Sequence, residues 1–241
     1  MILAFNTSTL RSSLALIEKS GAISGEIFLN TGKQHYGALF PSLDLLLNSV
    51  AVKLDDITCV AVAVGPGSFT GLRVGLSAAK GLAHALGVPI VGVNSLEALA
   101  AQVFHPSLPI TALLESRRND VFAAQFRWAG GERLIRVTHE QCLPYESLIS
   151  RIELPSLFIG SDYQTQSLIL RETIDTGLIL APSHMWAARA SAVAYIGLRR
   201  YESGQADDPA TLVPIYLRPP DIRPNPYLRT DAIKETELVG D

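Results

Sequence analysis

Short apolar runs alternate with helical periodicities along most of the chain. Residues 2–5, 13–17 and 25–29 have the composition and length of strands, and their close spacing predicts an antiparallel meander. Residues 36–50 then carry apolar side chains at helical spacing. Residues 59–64 form an unbroken and largely β-branched run, which is typical of a strand buried on both faces. The opening of the chain therefore predicts three strands, a helix and a buried strand.

The same plan recurs after residue 109. We predict a helix over 70–86 and a strand over 89–93 at the end of the first half. The second half has predicted strands at 110–114, 121–128, 133–138 and 157–159, and predicted helices at 145–152, 161–171 and 186–201. Its beginning, ITALLESRRNDVFAA, follows the strand–turn–strand plan of ILAFNTSTLRSSLAL, although few residues are identical.

This repetition predicts a duplicated α/β architecture with a cleft between two lobes. We place the first lobe at residues 1–105 and the second at 106–205, because two prolines flank polar residues near the junction. Residues 206–241 are rich in proline, so we expect an extended tail packed on the surface.

Composition narrows the class of protein. The 241 residues are 48% hydrophobic and 18% charged, which excludes a disordered chain. The net charge of −3 disfavours nucleic-acid binding by charge alone. No apolar run reaches the roughly 18 residues of a membrane span, so we expect a cytoplasmic protein without membrane contact. Cys59 and Cys142 are expected to be free thiols rather than a disulfide.

A glycine-rich stretch, VGPGSFTGLRVG at residues 64–75, raises the question of phosphate binding. A P-loop requires a lysine directly after its last glycine, whereas Gly71 is followed by Leu72. The dinucleotide fingerprint fails as well, since the third glycine comes one position late. What remains is the N-terminus of the following helix, where we expect weak anion or nucleotide contact at Gly67, Ser68 and Thr70.

Small residues along one face of that helix suggest close packing against another backbone. They are Gly71, Gly75, Ala78 and Leu82. The face could pack on the chain's own sheet or on a helix of a partner protein. The preceding helix favours a partner, because its apolar stripe is wider than one sheet face needs. That stripe includes Tyr36, Leu39, Phe40, Leu43 and Leu47. We therefore expect both helices to bind a partner, and Gly75→Leu to break that binding while leaving the monomer folded.

Five segments carry a resemblance to a known family. The stretch GPGSFTGLRVGLSAAKGLA and the following GVNSLEALA are similar to the bacterial TsaB family of tRNA threonylcarbamoyladenosine biosynthesis proteins. The segments MILAFNTST, ESRRNDVFAA and LVPIYLRPPDI resemble it too. The resemblance is strongest over residues 62–98 and looser over 127–208. It implies a two-lobed actin-like fold of the sugar-kinase and heat-shock-ATPase superfamily, which is related to ribonuclease H.

The resemblance also implies a function. TsaB-like chains pair with a TsaD-like catalytic subunit, which transfers threonylcarbamoyl to N6 of an adenosine beside the tRNA anticodon. A TsaE-like ATPase joins the complex, and pairing uses the two helices of the first lobe. We therefore expect a non-catalytic scaffold that meets tRNA only through the complex and forms a homodimer when alone. We expect no cofactor of its own, with any nucleotide at the partner interface.

Departures from catalytic relatives support the absence of catalysis. Ser95 and Leu99 occupy positions where TsaD-like chains carry two metal-binding histidines, so no metal is expected. Asn6 stands where actin-like ATPases place an aspartate, and Glu115 stands where family members often have one.

Other assignments stay open. An independent actin-like kinase or acyl-transferring ATPase is the alternative function, but it requires paired carboxylates and a Gly-Gly adenosine motif that the second lobe lacks at the expected place. Arg117 and Arg118 could contact tRNA phosphate or form a solvated turn. His35 could face a partner or begin a helix.

Overall fold

Two mixed β-sheets frame the structure, which is a computed structural model. It describes residues 1–29, 37–105, 107–117, 119–130 and 133–219. Three residues discussed above, Tyr36, His35 and Arg118, lie outside these ranges, as does the tail from residue 220.

The first sheet has five strands in the order β3-β2-β1-β4-β5. They are β1 (Ile2–Asn6), β2 (Ser12–Ile17), β3 (Ile23–Leu29), β4 (Cys59–Gly65) and β5 (Ile90–Asn94). The strands β1, β2 and β3 form the predicted antiparallel meander, and β4 pairs with β1 in parallel. The predicted strands of the first half are thus confirmed.

The second sheet repeats this order, with β11-β10-β6-β7-β8. Its strands are β6 (Ile110–Glu115), β7 (Asp120–Ala129), β8 (Arg133–Arg136), β10 (Ser156–Gly160) and β11 (Leu178–Leu180), and β9 (Gln141–Pro144) pairs with β7 as an addition. Strand β6 is antiparallel to β7 and parallel to β10, as β1 is to β2 and β4. The duplication predicted from the pattern of elements is confirmed.

Six helices accompany the sheets in the described part of the chain. They are α1 (Leu39–Ser49), α2 (Phe69–Leu86), α3 (Ser95–Ala100), α4 (Tyr145–Leu148), α5 (Tyr163–Thr173) and α6 (Ala190–Glu202). The strand alternation of the first sheet decides where they pack. Leu3 and Phe5 share a core with α1 and α2, whereas Ile2 and Ala4 share one with α6 on the opposite face.

The packing of α3 and α6 departs from a division of the chain at residue 105. Helix α6 belongs to the predicted second lobe but covers the first sheet, so closely that a Cβ on Gly197 would lie 2.5 Å from the Cβ of Ala61. In return, Leu96 and Leu99 of α3 lie in the core of the second lobe. A boundary at 105/106 therefore separates the two sheets but not their helices. The helix predicted from residue 186 also begins later, at Ala190, because Trp186 closes a short 3-10 turn.

The first part of the described tail packs on the first lobe. The amide of Asp207 donates to the carbonyl of Ile90 at 2.9 Å, and Leu212 and Ile215 contact the α1/α2 core.

Both cysteines are free thiols, as predicted. Burial raises the pKa of Cys59 to about 12. Burial also raises the pKa of Tyr145, against the effect of its hydrogen bond with Gln166.

Candidate functional site

The glycine-rich turn after β4 is fastened to the turn after β1. The amide of Ser68 donates to the carbonyl of Ser8 at 2.7 Å, and the hydroxyl of Thr7 donates to the carbonyl of Gly71 at 2.7 Å. Ser68 is the N-cap of α2, since its Oγ accepts from the amide of Gly71 at 3.2 Å. The amides of Ser68 and Gly71 are thus already bonded, which leaves fewer donors for an anion.

The two glycines that were expected to face a partner face this turn instead. A Cβ on Gly71 would collide with the carbonyl oxygen of Thr7, and a Cβ on Gly75 would collide with its Oγ1. Both glycines are buried. The prediction that they contact a partner is therefore wrong, because both glycines are buried against Thr7, in the turn that follows β1 of the same chain. For the same reason, the expectation that Gly75→Leu leaves the monomer folded is corrected.

An interlobe cleft of about 510 Å³ opens beside this turn. The first lobe contributes Ser8, Thr9, Leu10, Gly67, Ser68, Phe69 and Thr70, the second contributes Glu115, Ser116, Arg117, Phe122 and Ser161, and the tail contributes residues 215–219. The fold thus brings the three residues of the predicted anion contact, Gly67, Ser68 and Thr70, to one wall of the cleft.

Asn6, Ser95 and Leu99, which the sequence analysis compared with catalytic positions, are all buried. Asn6 is fully buried, and its Oδ1 accepts from the amide of Ser8 at 3.1 Å and from the hydroxyl of Ser8 at 2.7 Å. It therefore orders the turn after β1. Ser95 and Leu99 are also fully buried, and Leu99 packs in the second core. Across the described ranges, no three His, Cys, Asp or Glu side chains are grouped so that they could hold a metal ion.

A second candidate surface lies between α1 and α2. Within α1, Leu39, Leu43 and Leu47 are buried in the core of the first lobe, and Ala78 of α2 is buried there too. Leu82 is half-buried against that core. The side chain of Phe40 points outward and is 55% exposed. The face left for a partner is thus narrower than the sequence indicated.

Between the two helices runs a shallow groove of about 450 Å³, which we term the α1–α2 groove. It is lined by Leu39, Phe40, Arg73, Val74, Ser77 and Ala78. Its lining is mainly apolar, and the guanidinium of Arg73 is the one charged group among the described residues that line it.

No helix in the described ranges is both long and apolar enough to span a bilayer.

Sequence reasoning missed the residues that fasten the tail. Tyr216 stacks on Phe69 with ring centroids 4.9 Å apart, and Arg218 approaches Asp120 at 3.4 Å. Both lie in LVPIYLRPPDI, which the sequence analysis used only as a mark of resemblance. We term residues 212–218 the strap. The sequence signal that could have identified them is an aromatic residue and a basic residue close together in a proline-rich tail.

The duplicated sheets and the cleft between them define an actin-like α/β protein. YeaZ from Pseudomonas aeruginosa has this fold, with a TM-score of 0.73 and 23% identity over 90% of this chain and 99% of that one. A dehydratase component from Acidaminococcus fermentans, 10% identical, shares it with a TM-score of 0.52 over 83% of this chain and 98% of that one.

Sequence comparison gives the family. Residues 22–219 match the family model described as TsaD, tRNA N6-adenosine threonylcarbamoyltransferase. The TsaB protein of Bacillus subtilis is 30% identical over 219 residues, covering 90% of this chain and 93% of the relative. The TsaB protein of Escherichia coli is 26% identical, covering 90% and 94%. The chain belongs to the TsaB family, whose members take part in the biosynthesis of tRNA threonylcarbamoyladenosine.

Proposed function

We propose that this chain is a non-catalytic scaffold subunit that binds a TsaD-like threonylcarbamoyltransferase through the α1–α2 groove. The observation that carries the proposal is the outward ring of Phe40 beside an apolar groove. An exposed aromatic next to an apolar depression is the kind of pair that forms the centre of a protein interface. In the absence of the partner, we infer that the same surface pairs two copies of the chain.

The residues at the catalytic positions support a scaffold role. Asn6 lacks the negative charge that a magnesium ligand supplies, and both hydrogen bonds to its Oδ1 come from Ser8. Leu99 cannot ligate a metal and is enclosed by the second core. Chemistry in the assembled complex is therefore assigned to the partner subunit.

The remaining roles follow from this assembly. We infer that a TsaE-like ATPase joins the pair and that tRNA is bound through the complex. Gly67, Ser68 and Thr70 lie where α2 begins, so a nucleotide held there would lie in the interlobe cleft, at the start of the helix that also borders the proposed interface. We also infer a cytoplasmic location, because the family acts on tRNA.

The proposal is tested by light scattering after gel filtration, with this chain mixed with the TsaD homologue of the same organism. We expect one heterodimer peak from the mixture and a homodimer from this chain alone. Reconstituted threonylcarbamoyladenosine synthesis should require this chain in addition to the TsaD homologue. Two separate peaks, with full modification in its absence, would overturn the scaffold role.

The interlobe cleft is the observation that favours a second candidate, an independent actin-like kinase or ATPase. A fold relative from Clostridium difficile, 10% identical with a TM-score of 0.51, was solved with bound ADPNP. ATP hydrolysis by this chain alone, lost on filling the cleft with Ser68→Trp, would favour that candidate.

A further inference from the structure

The N-terminal residues of the strap pack on the first lobe. Leu212 and Ile215 pack against the α1/α2 core, and the amide of Ile215 donates to the carbonyl of Val64 at 2.7 Å. Tyr216 stacks on Phe69 at the start of α2. These contacts extend the tail's attachment to the edge of the cleft.

A cation completes this attachment. Nε of Arg73 donates to the hydroxyl of Tyr216 at 2.9 Å, and its guanidinium lies 3.9 Å from the centre of the Phe69 ring. Arg73 thus contacts both aromatic rings, which gives the end of the strap a defined position on α2.

The next two residues of the strap contact the other lobe. Leu217 packs against the core of the second lobe, and Arg218 pairs with Asp120, the first residue of β7, at 3.4 Å. Four successive residues, 215–218, therefore reach one lobe and then the other. The same residues line the interlobe cleft.

The lobes have a separate connection away from the strap. Nδ2 of Asn94, at the end of β5, donates to Oε1 of Glu140 at 2.6 Å, and α3 lies in the second core. Neither Asn94 nor Glu140 lines the cleft. The lobes are thus joined by α3 and its neighbours, by α6 on the first sheet, and at the cleft by the strap.

We propose that the strap is a latch that holds the two lobes together along the interlobe cleft. The ion pair of Arg218 with Asp120 and the contacts of Arg73 with Tyr216 and Phe69 are partly exposed, and polar contacts of that kind are individually weak. A latch built from such contacts can be released without unfolding either core. Its release uncovers the cleft and frees Arg73, which also lines the α1–α2 groove. The proposal concerns the isolated chain and does not depend on the proposed function.

The test measures the distance between the lobes in solution. Spin labels are attached to His84→Cys on α2 and Arg171→Cys on α5, both exposed positions, in a full chain carrying Cys142→Ala. Cys59 stays because it is buried. Dilution with unlabelled chain removes distances between copies in a homodimer. We expect a narrow distance distribution in this parent.

The latch is then removed with Tyr216→Ala and Arg218→Ala together. We expect the distribution to broaden and its mean to lengthen by several ångströms, while the matched strap variant Val213→Ala, at a 65% exposed position, keeps the parent distribution. A double variant that is folded by circular dichroism and has the parent's narrow distribution would overturn the proposal. So would a parent whose distribution is already broad.

A second, milder double substitution provides the test if the Tyr216→Ala, Arg218→Ala variant does not fold. Tyr216→Phe with Asp120→Asn retains the ring stacking but removes the hydrogen bond of Arg73 and the charge of Asp120. We expect a smaller broadening in this variant. A distribution identical to that of the parent would again contradict the latch.

Discussion

The side chain of Arg73 joins two surfaces, since its Nε donates to the hydroxyl of Tyr216 at 2.9 Å while it also lines the α1–α2 groove. Without this bond, Arg73 would keep its contacts with the rings of Phe69 and Tyr216 but would lose a directed hydrogen bond. The strap therefore fixes a cation that stands at the proposed interface.

Tyr216→Phe should weaken binding of the TsaD homologue, because Arg73 loses the acceptor that positions it. A partly exposed hydrogen bond contributes about 0.5–1.5 kcal/mol, so we expect a several-fold rise in Kd by calorimetry. Tyr195→Phe, on α6, is the matched control and should leave Kd unchanged. An unchanged Kd for Tyr216→Phe, with a weakened one for Arg73→Ala, would show that Arg73 needs no support from the strap.

Gly75→Ala should destabilise the fold, because the new methyl group collides with Oγ1 of Thr7. Overpacking of this kind costs about 1–3 kcal/mol, measurable by urea unfolding. Gly81→Ala on the same helix is the control. Nothing lies within 4 Å of its Cβ position, so it should stabilise the helix by about 0.5–1 kcal/mol. Equal stabilities of the two variants would contradict the packing of α2 against Thr7, in the turn after β1.

The two interpretations of the small-residue face show what the sequence could and could not predict. The spacing of Gly71 and Gly75 indicates close approach of another backbone, which is correct for Gly71, whereas Gly75 faces the side chain of Thr7. Spacing carries no information on which backbone approaches, and here it is Thr7, 64 residues before Gly71. Likewise, short apolar runs predicted the strands of the first sheet, but the packing of α6 on that sheet depends on tertiary contacts such as Gly197 with Ala61.

Missed elements were short or weakly patterned. Strand β11 has three residues and β9 has four, which is too little for a period-2 signal. Helix α3 has six residues and was obscured by its continuity with β5, although Asn94 is a recognisable N-cap that accepts from the amides of Leu96 and Glu97. The sequence singled out Gly67, Ser68 and Thr70 because a glycine-rich turn before a helix is a local signal, and they line the cleft; that they contact an anion stays a prediction.

Arg200→Ala should lower stability, since Arg200 ties α6 to two other elements. Its guanidinium donates to the carbonyl of Gly92 at 2.7 Å and to Oε2 of Glu97 at 2.6 Å. Hydrogen bonds to a charged group contribute about 1.5–3 kcal/mol, and partial exposure puts the expected loss at the lower end, near 1–2 kcal/mol. Thermal unfolding should show no comparable loss for the exposed neighbour Arg199→Ala. Equal Tm values for the two variants would contradict the role of Arg200.

The buried thiol of Cys59 should make stability depend on alkaline pH. Its pKa in the folded chain is about 12, above the ordinary value of 9.0, because burial disfavours the thiolate. The unfolded chain therefore releases this proton first, so the contribution of Cys59 is complete below pH 9 and falls as pH rises from 9 towards 12. Urea unfolding over that range should show a smaller decline for Cys59→Ala than for the parent. Parallel declines would contradict the shifted pKa.

The most direct test of the scaffold account is the affinity of Phe40→Asp for the TsaD homologue, measured by isothermal titration calorimetry. Leu168→Asp, at a 62% exposed position on α5, is the matched control. The account predicts that Phe40→Asp loses at least about 2 kcal/mol of binding free energy, roughly 30-fold in Kd, while the control binds like the parent. Parent-like binding by a folded Phe40→Asp chain would contradict docking through the α1–α2 groove.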